Sequence, residues 1–153
     1  MHRQVVVLFV VAMLLALAVS PAAASSPPLG VEIVAPTTIP PEGFPSYGPF
    51  TASGPAVDAG LVCPTGQTID LYVQAAGFQS GVVGNLLVIK QFTCDDGSGS
   101  FIVKLQVRTT STTNWVVLSG TDAYSRLHGV GQLYAEPWAN GVIDYYSGQL
   151  HIN

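Results

Sequence analysis

The chain predicts an all-β fold, a small closed antiparallel β-barrel of about eight strands, with a β-sandwich as the alternative. Three observations predict it. Beyond Pro49, apolar residues recur with a period of two in short stretches. Each stretch is bounded by Gly, Asn, Asp or Ser, the residues of tight turns. No segment of the same region carries the 3.6-residue period of an amphipathic helix. Strands adjacent in sequence and joined by short turns form a meander, and closing it removes the free edges that invite aggregation.

The N-terminus stands apart from this pattern. Arg3 precedes an uninterrupted apolar run from Val5 to Val19, and Ala22 and Ala24 flank Ala23 in an A-x-A cleavage pattern. This predicts a secretory signal peptide over residues 1–24 and a secreted, extracellular location, with no membrane span in the mature chain, because the run is short of the roughly 18 residues a spanning helix needs. Residues 25–49, "SSPPLGVEIVAPTTIPPEGFPSYGP", hold seven of the eleven prolines. They read as a proline-rich linker in which "VEIV" is an optional edge strand. Residues 50–153 form the barrel domain.

Within that domain "TIDLYVQ" alternates, with Ile69, Leu71 and Val73 expected inward and Asp70, Tyr72 and Gln74 outward. "NLLVIKQFTC" is apolar on both faces over its first half, as in a strand covered on both sides or facing a ligand. "CDDGSGS" supplies hairpin chemistry before "SFIVKLQVR", whose Phe101, Val103, Leu105 and Val107 share one face. "TTSTTN" is the next connection or an extension of its strands. "TNWVVLSG", "GVGQLYAEP" and "GVIDYYSGQLHIN" are further strands, the last with a bulge or turn near Ser147 and Gly148. Helix is confined to about a turn around Tyr124 to Leu127.

Composition narrows function. Of the five basic residues only Lys90, Lys104, Arg108 and Arg126 follow the signal peptide, spread thinly on a chain of net charge −4. Nucleic acid is excluded as a partner, since phosphate binding needs clustered cations. Cys63 and Cys94, the two cysteines, are expected to pair after export, closing a loop worth about 3.7 kcal/mol on the chain-entropy model. No second Cys or His stands at ligand spacing, so neither a metal nor a cofactor is expected.

"FTASGPAVDAGLVCPTG", "FTCDDGSGSF", "WVVLSGTDAYSRLHGVGQ" and "GVIDYYSG" together resemble a group of small secreted bacterial proteins of uncharacterised function. The SGTxxYxxLxGxG element is similar to the GTGxYxxxxG end element of the allene oxide cyclase and dirigent barrels. The resemblance implies an eight-stranded antiparallel barrel with a short helical turn near one end. It makes Gly120, Tyr124, Leu127, Gly129 and Gly131 the closure element, with Asp122 where the pattern has a second glycine. The family's catalytic residues have no counterpart positions here, and the catalytic residues stay unknown.

The chemistry-bearing residues give weak constellations. Asp58, Asp70 and Glu136 are isolated carboxylates expected in solvent. His128 with Asp122 and Ser119 or Ser125 is near in sequence only, and His128 is expected as a partly exposed turn residue. His151 is expected to fray. Asp95 and Asp96 read as turn residues, because the EF-hand spacing is absent. Trp115, Tyr134 and Tyr145 are the candidate ligand-binding residues. These observations favour a non-enzymatic module that binds a small apolar or glycan ligand or a surface partner. The alternatives are a cyclase- or isomerase-like barrel enzyme and a purely structural envelope-associated module.

Overall fold

The alternation seen in the sequence becomes eight antiparallel strands in a closed barrel. The computed structural model describes residues 26–76, 84–108 and 111–153; the expected signal peptide lies outside them. In chain order the strands are β1 (Leu29–Thr38), β2 (Tyr47–Ser53), β3 (Thr65–Ala76), β4 (Asn85–Cys94), β5 (Ser100–Arg108), β6 (Ser111–Gly120), β7 (Leu127–Trp138) and β8 (Gly141–Ile152). Each pairs with the next, and β8 returns to β1. The sandwich is not the fold.

The proline-rich linker expected over residues 25–49 is corrected: most of it is barrel wall. β1 pairs with β8 from Leu29↔Leu150 to Thr38↔Gly141 and with β2 at Glu32–Val34 and Thr38. Pro36 is tolerated because the β1–β2 register has no pair between Val34 and Thr38, so its missing N–H interrupts nothing on that side. Val31, Ile33 and Ala35 fill the core. The bulge or turn expected near Ser147 and Gly148 is also absent, since β8 runs through both in even register, with Ser147 paired to Glu32 and Gln132.

Closing eight strands leaves a lumen that side chains fill. Its lower half is aromatic: Phe92 stacks on Phe101 at 4.9 Å and meets Phe50 at 5.2 Å and Tyr146 at 5.5 Å edge-on. The bottom is shut by the Cys63–Cys94 disulfide and by Ala56 of the single-turn helix α1 (Pro55–Asp58), which the alternation did not predict. The β4–β5 hairpin turns there as its sequence predicts, with the Ser98 N–H donating to Asp96 Oδ1 at 2.9 Å.

The closure element lies at this end. A 3-10 turn over Asp122–Tyr124 follows β6, one residue pair earlier than expected, and Asp122 adopts φ 50 where glycine is favoured. Tyr124 and Leu127 are buried, and the Tyr124 ring sits edge-on to Phe101 at 5.8 Å with its hydroxyl 2.7 Å from Ser98 Oγ. Gly120 packs beneath the Tyr124 backbone, where a Cβ would lie 2.2 Å from its carbonyl oxygen. Leu127→Ala should therefore cost about 2–4 kcal/mol in urea denaturation, whereas a loss below about 0.5 kcal/mol is what an exposed position gives.

Candidate functional site

Parity along two strands carries unusual residues into the lumen. On β4 the inward residues Val88, Phe92 and Cys94 include Lys90, and on β8 the inward Tyr146 and Leu150 include Asp144. β4 and β8 stand opposite each other in the closed order, so Lys90 spans the lumen. Its Nζ donates to Asp144 Oδ2 at 2.8 Å and lies 3.4 Å from Thr37 Oγ1 on β1. Asp70, the register partner of Lys90 on β3, places Oδ1 at 3.6 Å from the same ammonium.

This corrects the reading of β3. Ile69 and Leu71, expected inward, are 40% and 50% exposed, while Asp70, expected outward, is 7% exposed. Thr68 and Gly66 share its face. Gly66 admits the Phe50 ring at a distance no Cβ would allow, so the large core side chain comes from β2 and β3 contributes small or polar ones.

Around the cluster every fully buried side-chain polar atom but one has a hydrogen-bond partner. Ser46 Oγ donates to Asp70 Oδ2 and the Asp70 N–H donates to the Ser46 carbonyl at 2.9 Å. Thr37 Oγ1 donates to the Ala35 carbonyl at 3.2 Å, and the Tyr146 hydroxyl donates to Asp144 Oδ2 at 3.4 Å. The exception among the described residues is Asp70 Oδ1, buried with no hydrogen bond.

Electrostatics follow from burial. Desolvation raises the pKa of the Asp70 carboxyl above its ordinary value; Lys90 and the Ser46 hydroxyl pull it back, and Asp144 pushes it up again. Burial, then the charges of Asp144 and Asp70, hold the Tyr146 phenol well above its usual range, so it acts as a neutral donor.

Above this polar layer the lumen is hollow. A cavity of about 200 Å³ is lined by Asp70, Lys90 and Asp144 on one side and by Val88, Leu105, Leu133 and other apolar side chains, with Phe44 and Ile39 from the β1–β2 connection. It is smaller than the roughly 300 Å³ at which pockets for drug-sized ligands begin. An apolar chamber with a charged floor can bind a small amphiphile, or move a proton to or from one.

The residues singled out from sequence do not form this site. Trp115 is core: it fills a hole at the facing pair Gly131 and Gly148, where a Cβ on Gly148 would lie 2.3 Å from the indole. Its Nε1 donates to the Gln132 carbonyl at 3.0 Å and lies 3.2 Å from that of Ser147. Tyr134 and Tyr145 stack on the outside of the wall with ring centres 6.2 Å apart. Gly129 packs below Leu150. Asp58 and Glu136 are exposed, and His128, expected to be partly exposed in a turn, is exposed and belongs to β7. Lys90, Asp144, Ser46 and Thr37 were missed; the available signal was a Lys and an Asp sharing parity with apolar core residues.

No protein-family model matches the chain, and no curated protein is similar to it in sequence. Among the described residues no helix is long and apolar enough to cross a membrane.

Two outcomes follow from the buried cluster. Lys90→Met should cost about 3–5 kcal/mol at neutral pH in a denaturation experiment, because it leaves two carboxyls in the lumen without their cation. For Asp70 the folded pKa exceeds the unfolded one, so between them the native state holds a proton the unfolded state has lost. Its contribution is fully present below the unfolded value of 3.8 and declines as pH rises through the raised folded value. Asp70→Asn should remove that decline from a stability-versus-pH series, and an unchanged slope would assign it to another group.

Proposed function

We propose that the protein is a secreted, non-enzymatic binding module that holds a small, largely apolar molecule in the upper lumen. The molecule carries one hydrogen-bond donor, which seats on Asp70 Oδ1, while its body packs on Val88, Leu105 and Leu133. One observation carries this reading: Asp70, whose buried Oδ1 has no hydrogen bond, lines a chamber that is otherwise mainly apolar. Such an atom is costly to leave alone, and a ligand donor relieves that cost. The signal-peptide pattern and the Cys63–Cys94 disulfide support an extracellular setting, where such a bond persists.

A second reading, an isomerase-like acid–base enzyme, draws on the same residue. Burial lifts the Asp70 carboxyl toward a state in which it holds a proton beside a substrate chamber. The resemblance to the cyclase and dirigent end element points the same way by analogy alone. The purely structural reading draws no support from a hollow upper lumen.

Native mass spectrometry on protein secreted by its own host separates these readings. A co-purifying small molecule is expected on the unsubstituted chain and is lost in Val88→Phe, whose ring enters the chamber, while the barrel still unfolds cooperatively. A bare chain that small apolar alcohols and amines fail to stabilise thermally overturns the binding proposal. Deuterium uptake from D2O into a carbon of the recovered molecule would favour the enzyme.

A further inference from the structure

The outer wall brings together two histidines that lie far apart in sequence. His128 on β7 and His151 on β8 are direct register partners, and their rings stack at 5.5 Å between centroids with 23° between planes. His151 does not fray: the next residue, Ile152, donates its N–H to Ser26 Oγ at 2.8 Å, and the Asn153 N–H donates to the Arg126 carbonyl at 3.3 Å. β8 is thus paired with β7 along its whole length and with β1 as far as Leu150, with Ser26 bonded beyond it, and the two Cα atoms are fixed by the sheet.

The pair borders a surface hollow of about 280 Å³ whose other walls are Pro28, Val116, Val117, Gly129, Val130 and Gln149. The β6–β7 ladder ends at Val116↔Val130, and the hollow lies where β6 and β7 part beyond it. No carboxylate and no Lys or Arg lines it. Among the described residues neither ring makes a hydrogen bond or an ion pair, so each is free to turn about its Cβ–Cγ bond.

We infer that His128 and His151 form a bidentate site for a borderline divalent transition-metal ion, copper(II) or zinc, on the outside of the barrel. Imidazole is the ligand these ions favour, and an all-neutral donor set disfavours magnesium and calcium, which need carboxylate oxygens. Metal–nitrogen bonds of about 2.0–2.1 Å put two imidazole centroids about 4.5–5.2 Å apart around one ion at 90–109°. The observed 5.5 Å requires a closing of less than an ångström together with rotation of the rings out of their stack. Water completes the coordination, and Gln149, two residues before His151 on the same face, offers a neutral oxygen at the edge of the hollow.

The test uses the full chain without an affinity tag, stripped with a chelator and titrated with zinc chloride by calorimetry, then with copper(II) followed by electron paramagnetic resonance. The expected result is one ion per chain, a rise in melting temperature with excess zinc, and two equatorial nitrogens on copper. His128→Gln and His151→Gln, both on the outer wall, should each weaken binding about tenfold or more, since each removes one arm of a chelate, and leave one nitrogen on copper. Equal affinity in the two variants and the parent, or no binding to the parent, overturns the site.

Discussion

Ten residue pairs join β1 to β8, and the rest of the molecule depends on that seam. Once it forms, every strand has two neighbours and every alternate side chain has no destination but a narrow lumen. Parity then decides burial whatever the residue's chemistry, which is how Lys90 and Asp144 enter. An open meander would let either strand slip or twist its charge into water; a closed one does not. The seam also explains why a proline-rich segment is structural: its Val31, Ile33 and Ala35 complete the core that β2 and β8 leave open.

The charged layer divides the lumen into two chemically different halves. Below it, five aromatic rings, the disulfide and the 3-10 turn pack the barrel solid. Above it, the aliphatic side chains leave a chamber. Ion pairs of this kind add little to stability, since apolar residues of equal volume hold a core at least as well once desolvation is counted. Stability therefore gives no account of the layer, whereas the proposed ligand, which the layer would orient, does. The two carboxyls also differ in their contacts: Asp144 pairs with Lys90 at 2.8 Å and accepts from Tyr146, while Asp70 lies further from the cation and burial raises its pKa.

Fold class was legible because period-two alternation and turn chemistry are local signals. "SFIVKLQVR" alternates cleanly, and its Phe101, Val103 and Leu105 are all buried. "CDDGSGS" is the hairpin its residues demand. The segment around Asp122 was reached through the resemblance and not through alternation, and Asp122 does take positive φ where the pattern has a second glycine. β1 was not, because Pro36 is compatible with a strand only where the neighbouring ladder is interrupted, and that interruption is tertiary. Trp115 is buried because the facing Gly131 and Gly148 make room for it, a tertiary circumstance that a large aromatic on a strand does not disclose. The histidine pair was invisible for a simpler reason, the register that joins positions 128 and 151.

The misreading of β3 has a specific cause. Its register with β4 runs evenly from Gly66↔Cys94 to Asp70↔Lys90, then shifts by one between Asp70 and Tyr72. A bulge of this kind reverses which parity faces inward and is over-represented beside functional sites. Before it, Gly66, Thr68 and Asp70 point into the lumen; after it, Val73 packs against the core. A uniform alternation anchored on Ile69, Leu71 and Val73 therefore fits the second half of the strand and inverts the first. β2 also ends its ladder here, at Tyr47↔Ile69, so the next backbone bond to β3 comes from the Ser46 carbonyl. Asp70 sits at the meeting of these two irregularities. One of its oxygens is bound to Ser46 on the chain that enters β2, and the other, 3.6 Å from the Lys90 ammonium, has no hydrogen bond. The same backbone defect that hides this carboxylate from a periodic reading of the sequence is what turns it inward.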